Sequence, residues 1–364
     1  TTVAKAAIQK ANLSPEQIDT VIFGNVLQAG LGQNPARQVG LGAGLNHAST
    51  AVTINEVCGS GLKAIISAAQ AIRLGDAKIV LAGGMENMSL APHLLQQRFA
   101  PKNGPVTLVD SLFNDGLTDA YSQDAMGITA ENIVEKYGFT REEQDAFAVA
   151  SQQKAAKAQE EGRFDNEITP VAVFNRKTKS DDLKSTDEFI RPNTTLESLA
   201  GLKPAFKKDG TVTAGNASGI NDGAACVIMT TREYATELGL PILATLKGYA
   251  EAGVDPSIMG IGPVPAIQKL VARTRIPLEK VDVFELNEAF AAQSMAVIKD
   301  LKIPTEKVNP FGGAIALGHP IGASGTRIVV TLINALEQLD GKIGVASLCV
   351  GGGMGVAIAI EREK

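Results

Sequence analysis

The 364-residue chain carries a formal net charge of −5, from 34 Lys and Arg against 39 Asp and Glu, and 45% of its residues are apolar. This mildly acidic balance argues against nucleic acid or an anionic membrane as the main partner, and the length predicts two or three domains. The three cysteines are too few for a disulfide framework, and three histidines without a CxxC pair argue against structural zinc. We therefore expect a reduced, intracellular protein with no metal site and no membrane-spanning helix.

Strand-like and helix-like patterns alternate from the start of the chain, which is typical of an α/β fold. The chain opens on Thr1 inside a pattern typical of the later turns of a helix, so we expect further residues upstream. A predicted helix follows Cys58, and Gly75 is suited to end it. The apolar side chains on one face of that helix are Leu62, Ile65, Ile66, Ala69 and Ile72.

The stretch 88–220 interrupts this pattern with charged residues, Pro and turn signals. Thr140 and Glu143 form a capping box ahead of a predicted helix. We interpret 88–220 as an inserted loop domain, 1–87 with 221–239 as an N-terminal half, and 240–364 as a C-terminal half.

An internal repeat links the two halves. PEQIDTVIFGN (15–25) resembles LEKVDVFELN (278–287), CGSGLKAI (58–65) resembles GASGTRIV (322–329), and AGGMENM (82–88) resembles GGGMGVA (351–357). Ser324 lies 264 residues after Ser60, and Glu279 lies 263 after Glu16. The repeat predicts two similar halves about a pseudo-twofold axis. The second predicted helix carries the apolar stripe Ile328, Leu332, Leu336 and Leu339.

Cys58 is the first candidate for chemistry. A cysteine among apolar residues is most often a packing residue. Here it stands in a turn before a helix, where free N–H groups and the helix dipole favour a thiolate and an oxyanion. Gly59 and Gly61 leave room for a substrate carbonyl near the backbone, as in a nucleophile elbow.

A thiolate nucleophile needs a proton acceptor. His319 lies in the loop that enters the second helix, nearly mirroring Cys58, and would face it if the two helix N-termini meet. A buried structural role is the alternative, while His47 and His93 are better suited to surface or capping roles. Cys349 ends a strand before a glycine run, so core packing and an oxyanion-site role are both open.

Two further polar residues and the third cysteine are also candidates for a role in the site or in the core. Asn287 and Glu288 follow a strand, where they either support the structure or orient water. Cys226 stands in the middle of a strand and is interpreted as a packing residue. No Walker A motif or complete dinucleotide fingerprint is present.

Seven motifs in order along the chain resemble those of the thiolases. They are NEVCGSGLKAI, GGMENMS, MGITAEN, AGNASGINDGAA, NEAFAAQ, GGAIALGHPIGASG and CVGGGMG. The resemblance covers nearly the whole chain and is strongest to the biosynthetic acetoacetyl-CoA thiolases. It implies a duplicated five-layered αβαβα core with an inserted loop domain.

The resemblance also implies a reversible ping-pong Claisen condensation of two acetyl-CoA. Cys58 matches the acylated nucleophile, His319 its base, and Cys349 the acid/base for the α-proton of the second acetyl group. Asn287 matches the residue that holds water in one oxyanion hole. The N–H groups of Cys58 and Gly351 match the other hole.

Coenzyme A contacts are implied in the loop domain and at the mouth of the site. By motif they are Arg191, Ser198, Ala214, Ser218, Leu117, Met126, Phe206 and Met259. The implied substrates and products are acetyl-CoA, acetoacetyl-CoA and CoA, with no permanently bound cofactor. The implied assembly is a cytoplasmic homotetramer, a dimer of dimers.

Two departures from the family pattern stand out. Many relatives have a His that lines the acyl pocket where this chain has Ala125, so we expect a different acyl-chain preference or rate. Relatives also begin with a strand of the first sheet that this sequence lacks, which would leave a sheet edge exposed.

Alternative functions also remain. A degradative 3-ketoacyl-CoA thiolase shares these motifs, and a non-catalytic acyl-CoA or lipid-binding relative shares the fold. The few histidines and CVGGGMG argue against ketoacyl-ACP synthases. A cysteine hydrolase would need neither Cys349 nor a coenzyme A domain.

Overall fold

A computed structural model describes residues 1–99 and 103–363. The first part of the chain forms three α-helices and three strands, followed by further helices and short strands within 88–220. These are α1 Thr2–Lys10, β1 Thr20–Gly24, α2 Pro35–Gly42, β2 Thr50–Ile54, α3 Ser60–Leu74, β3 Ile79–Asn87, β4 His93–Leu94, β5 Val109–Asp110, α4 Met126–Tyr137, α5 Arg141–Glu160, β6 Val171–Asn175, β7 Ser180–Lys184 and α6 Leu196–Ala200.

The chain then returns to long core strands and builds its second half. The elements are β8 Asp222–Thr230, α7 Arg232–Glu237, β9 Ala244–Gly253, α8 Pro263–Thr274, β10 Val283–Leu286, α9 Ala291–Leu301, α10 Ala314–Leu317, α11 Ile321–Gln338, β11 Ile343–Val350 and β12 Met354–Arg362.

Two four-stranded sheets with matching connections dominate the described part of the chain. The first has the order β2-β1-β3-β8 and the second β10-β11-β12-β9. β1 and β3 are parallel and β3 and β8 antiparallel, just as β10 and β11 are parallel and β11 and β12 antiparallel. β12 continues to β9, whereas within 1–99 and 103–363 the outer edge of β8 has no partner strand. The repeat read from the sequence thus appears as two equivalent β–α–β–β units.

The layers run α–β–α–β–α, as expected. α1 and α2 cover the outer face of the first sheet, α3 and α11 lie between the sheets, and α8 packs outside the second sheet. The largest apolar cluster joins the two central helices to both sheets. Its fully buried members include Leu62, Ile66, Ile328, Leu332, Leu348 and Ile358.

The two central helices follow the predicted stripes except at one end. Gly75 ends α3 with a φ of 81°, a left-handed conformation that glycine adopts without strain. α11 ends at Gln338, so Leu339 falls outside the helix and is 49% exposed, against our expectation. The apolar spacing continued past the point where the chain turns away from the core.

α3 and α11 approach most closely near their N-termini, where both carry a Ser-Gly pair. A Cβ on Gly61 would lie 2.7 Å from the backbone nitrogen of Thr326, and one on Gly325 would collide with the α3 backbone. The Thr326 hydroxyl donates to the Gly61 carbonyl over 3.0 Å. The two helix N-termini therefore meet, which brings the loops of Cys58 and His319 to one region between the halves.

The inserted segment packs mainly onto the second half. The predicted capping box starts α5, with the Glu143 N–H donating to Thr140 Oγ1 and the Thr140 N–H donating to Glu143 Oε2. From α5, Ser151 donates to buried Glu288 over 2.6 Å. β6 and β7 form an exposed hairpin, in keeping with the absence of a core-strand pattern there.

Candidate active site

The loop that presents Cys58 is held in a strained conformation by its own side chains. Val57 has a φ of 47°, a left-handed conformation that costs a β-branched residue about 1–3 kcal/mol. Its N–H donates to Asn55 Oδ1 over 2.9 Å. Ser60 Oγ accepts the Glu56 N–H over 2.8 Å and donates to the Val57 carbonyl over 2.6 Å. The turn is thus fixed on both sides of the cysteine.

Cys58 lies at the base of a small apolar cluster and is 8% exposed. The Gly351 N–H of the second half favours the charged form of this thiol, and Leu117 and Ile321 share its cluster. Burial raises the pKa of the Cys58 thiol to about 11. We expected the helix N-terminus to favour a thiolate, but the loss of solvation outweighs it, so the free protein holds a neutral thiol.

Cys349 occupies the end of β11 and is fully buried. Burial, and then the proximity of Cys58, raise the pKa of its thiol well above the ordinary range. Met126 and Met259 belong to the same apolar cluster. The glycine run after Cys349 turns the chain so that Gly351 lies against the Cys58 loop, with its Cβ position 3.3 Å from Val57 Cγ1. This contact brings two cysteines from different halves into one site.

His319 lies between α10 and α11 and is 5% exposed. Its backbone N–H donates to Asn221 Oδ1 over 3.1 Å. Ring atom Nδ1 is 2.6 Å from Ser324 Oγ, and Nε2 is 3.4 Å from Asn287 Nδ2. Burial, together with the positive charge of Arg327, lowers the pKa of His319 to about 4. The imidazole is therefore neutral at pH 7 and can accept a proton.

Asn287 closes the other side of the imidazole from the end of β10. Its Oδ1 is buried and accepts no hydrogen bond from the residues the structure describes. A buried carbonyl oxygen of this kind normally binds a water molecule. The neighbouring Glu288 accepts hydrogen bonds from Ser151, Asn309 and the Ile315 N–H, and so has a supporting role.

Glu86, which the sequence did not single out, ties the two halves together beside the site. Its carboxylate accepts the N–H groups of Val26, Leu27 and Gly322 over 2.9–3.1 Å, and the Asn25 amide over 2.9 Å. Gly322 belongs to the first turn of α11, so this one carboxylate fixes the loop after β1 against the helix that follows His319. Burial raises the pKa of Glu86, while the N–H donors favour its charged form.

The implied coenzyme A contacts in the loop domain lie at the surface. Arg191 is exposed, and its guanidinium stands 5.6 Å over the ring of Phe189. Ser198 closes the capping box that starts α6, and Ala214 is exposed. At these positions a basic side chain and two small side chains are accessible to a ligand that binds at the surface.

The remaining implied contacts lie nearer the cysteines. The Ser218 N–H donates to the Ala289 carbonyl over 3.0 Å, which attaches this segment beside Asn287. Phe206 is 37% exposed and meets Phe290 edge-to-face at 6.1 Å. Leu117 packs with Cys58, whereas Met126 and Met259 pack with Cys349.

Comparisons with known proteins bear on what this site does. The family model described as "Thiolase, N-terminal domain" matches residues 1–233, and "Thiolase, C-terminal domain" matches 240–362. The chain belongs to the thiolase family. It is therefore an acyltransferase, and CoA thioesters are the substrates of the family in general.

Individual relatives of this thiolase support the same placement. The acetyl-CoA acetyltransferase of Cupriavidus necator is 57% identical over 362 residues, which cover 99% of this chain and 92% of that protein. The crystal structure of the Bacillus anthracis acetyl-CoA acetyltransferase is 47% identical with a TM-score of 0.96, covering 99% and 91% of the two chains. Human mitochondrial 3-ketoacyl-CoA thiolase in complex with CoA is 45% identical with a TM-score of 0.95, covering 99% and 90%.

Two further observations complete the description of this thiolase. Within residues 1–99 and 103–363, no group of three or more His, Cys, Asp or Glu side chains is arranged to hold a metal ion. Among the described helices, none is long and apolar enough to cross a membrane.

Sequence reasoning missed several supporting residues of this thiolase. Glu86 and Asn221 reach the site from distant strands and loops; both lie within the quoted motifs GGMENMS and AGNASGINDGAA, but neither was assigned a role. Ser324 could have been found, because the repeat aligns it with Ser60, two residues after Cys58.

Proposed function

We propose that this thiolase catalyses the reversible condensation of two acetyl-CoA to acetoacetyl-CoA and CoA through an acetyl-Cys58 intermediate. The observation that carries the proposal is the contact between the Cys58 loop and the loop after Cys349, where a Cβ on Gly351 would lie 3.3 Å from Val57 Cγ1. This contact brings the candidate nucleophile, the Cys349 strand end and two candidate oxyanion donors to one place. Relatives named acetyl-CoA acetyltransferase at 57% and 47% identity support the acetyl substrate.

In the acylation step, neutral His319 takes the proton of the Cys58 thiol as its sulfur attacks the thioester carbonyl. A base is required, since a thiol with a pKa of about 11 is almost entirely protonated at pH 7. The N–H groups of Cys58 and Gly351 stabilise the tetrahedral oxyanion, each donor worth roughly 3–4 kcal/mol. The carbon–sulfur bond to CoA then breaks, and the leaving thiolate recovers the proton from His319.

In the condensation step, Cys349 first passes its thiol proton to the neutral ring of His319 and then, as a thiolate, removes an α-proton from the second acetyl-CoA. Burial that raises its pKa makes it a strong base once it is deprotonated. A water on Asn287 and the protonated ring of His319 stabilise the enolate oxygen. The enolate carbon attacks acetyl-Cys58, a carbon–carbon bond forms, and Cys58 leaves as a thiolate that recovers the proton held by Cys349. The protonated His319 then returns its proton to Cys349, which restores the starting state.

Coenzyme A is proposed to enter over the loop domain. Arg191, exposed and stacked on Phe189, suits the nucleotide end. The other proposed contacts are Ser198, Ala214, Ser218, Leu117, Met126, Phe206 and Met259. A cytoplasmic homotetramer remains the proposed assembly, and light scattering of the purified protein tests it.

The test of the central proposal is mass spectrometry of the intact protein after incubation with acetyl-CoA. We expect one acetyl adduct that maps to Cys58, is absent in Cys58→Ser, and persists in Cys226→Ser. Cys226 is a matched control because it lies mid-strand in β8, away from the site. An unmodified wild-type protein, or an adduct that persists in Cys58→Ser, would overturn the assignment.

A broader 3-ketoacyl-CoA thiolase is the second candidate. It is favoured by the small side chain of Ala125 at the start of α4, directly before Met126, whose sulfur lies 3.7 Å from the position of a Cβ on Gly351. Thiolysis rates for 3-ketoacyl-CoA substrates of increasing chain length separate the two. A strong preference for long chains would reject the acetyl-specific proposal while leaving acyl-Cys58 chemistry intact.

A further inference from the structure

Each ring nitrogen of the His319 imidazole lies beside one polar side chain, a serine hydroxyl at Nδ1 and an asparagine amide at Nε2. Nδ1 lies 2.6 Å from Ser324 Oγ, and Nε2 lies 3.4 Å from the Asn287 amide nitrogen. All three side chains are at most 5% exposed. A neutral imidazole carries one proton, so these contacts decide which nitrogen is free to act as a base.

The hydrogen bonds of Ser324 assign the proton to Nδ1. A serine hydroxyl has a single proton, and Ser324 donates it to the Pro320 carbonyl over 2.9 Å. Its oxygen is then an acceptor toward the imidazole, so Nδ1 must be the donor. At the other nitrogen the Asn287 amide donates, which requires a lone pair on Nε2. Two independent neighbours thus favour the same tautomer.

We propose that Ser324 is a positioning residue that fixes His319 as the Nδ1–H tautomer and so keeps Nε2 unprotonated and able to receive the Cys58 proton. This inference rests on the proposed function, in which His319 is the base. Ser324 itself touches neither substrate nor the reacting sulfur; it acts through the ring, in the way that the third member of a catalytic triad orients a histidine.

The duplication supports this role, because the equivalent serine of the first half does the same kind of work. Ser60 Oγ accepts the Glu56 N–H and donates to the Val57 carbonyl three residues back. Ser324 Oγ lies 2.6 Å from His319 Nδ1 and donates to a carbonyl four residues back. Each half therefore uses the serine of its helix N-terminus to hold its own reactive residue, the nucleophile loop in one and the base in the other.

The direct test is ¹⁵N NMR of the imidazole nitrogens in the full chain labelled with [¹⁵N]histidine. The sequence has three histidines, so His319→Gln assigns the relevant signals. We expect a protonated Nδ1 and an unprotonated Nε2 in the wild type, and a shift toward Nε2–H in Ser324→Ala. Nε2–H in the wild type would overturn the proposal even if Ser324→Ala failed to fold.

The kinetic test measures the pre-steady-state rate of Cys58 acetylation, with kcat and KM alongside. A misplaced proton should remove part of the 10²–10⁴-fold contribution of a general base, so we expect about a 10–100-fold loss in kcat with little change in KM. Thr331→Val is the matched control: it removes an equally buried hydroxyl of α11 that bonds Glu167 instead, and should keep the acetylation rate within about twofold of wild type.

The outcomes separate the two proposals. A wild-type protein that is never acetylated rejects the proposed function, whereas the NMR result still reports the tautomer. Acetylation of Ser324→Ala at the wild-type rate rejects the positioning role alone. An equal loss in Thr331→Val also rejects it, since general loosening of α11 would then explain both.

Discussion

Substitution of Gly61 by Ala tests whether the spacing of the two central helices sets the geometry of the site. The new Cβ would stand 2.7 Å from Thr326 N and 2.9 Å from Thr326 Oγ1, and the nitrogen is backbone that a rotamer change cannot move aside. Reaching the 3.4 Å of ordinary contact requires a shift of about 0.7 Å. Overpacking of this kind costs about 1–3 kcal/mol.

Two smaller effects partly offset each other. The buried hydrogen bond from Thr326 to the Gly61 carbonyl is stretched, a loss of about 1 kcal/mol. Alanine in a helix gains up to about 1 kcal/mol over glycine. We therefore expect Gly61→Ala to lower the free energy of unfolding by about 1–3 kcal/mol. Because a 1 Å misplacement can cost about 100-fold in rate, we expect acetylation of Cys58 to slow by about 10-fold or more.

Urea unfolding and the acetylation rate are measured on wild type, Gly61→Ala and Gly201→Ala. Gly201 has open space around its Cβ position and a φ of −76°, so its substitution should leave the stability within about 0.5 kcal/mol or raise it. Wild-type stability in Gly61→Ala would refute the close-packing argument. Lower stability with an unchanged acetylation rate would refute the link from helix spacing to the site.

Two further predictions concern pH and helix capping. The folded protein keeps His319 neutral down to about pH 4, whereas the unfolded chain protonates it near pH 6.5, so the free energy of unfolding falls as the pH drops between these values. This contribution to the free energy of unfolding, about 3 kcal/mol, should be missing in His319→Gln but present in the control His47→Gln, whose histidine is exposed. Urea unfolding at pH 7 and 4.5 measures it. An equal fall in the free energy of unfolding for wild type and His319→Gln would contradict the prediction. Thr140→Ala removes the capping box of α5 and should lower the free energy of unfolding by about 1 kcal/mol, with kcat unchanged; an unaltered urea midpoint would exclude a capping contribution.

The two similar halves were predictable from the sequence, because the repeated segments include both the glycine-rich turns and the apolar faces of the helices that follow them. Ser60 and Ser324 fall at matching places, and the apolar spacing after each predicts a buried helix, as found in α3 and α11. The capping box at the start of α5 was also predictable, because its two residues, Thr140 and Glu143, are only three positions apart. Patterns of this kind involve neighbours within a few residues, so the sequence displays them directly.

Properties that depend on burial and distant contacts were not predictable. The helix N-terminus suggested a Cys58 thiolate, but solvent exclusion by both halves raises its pKa to about 11. Glu86 was passed over because its donors come from a loop some 60 residues earlier and from Gly322, 236 residues later. The end of α11 before Leu339 likewise depends on where the surrounding chain leaves the core.

The close crossing of α3 and α11 has a consequence for biosynthesis. Thr326 is separated from its partner Gly61 by 265 residues, and Gly322 from Glu86 by 236. A ribosome adding 5–20 residues per second needs roughly 10–50 s to reach them. Throughout that interval the newly made first half presents the apolar inner face of α3 without its partner helix. The nascent chain is therefore exposed to aggregation at its centre, and we expect it to depend on chaperones until the second helix has emerged.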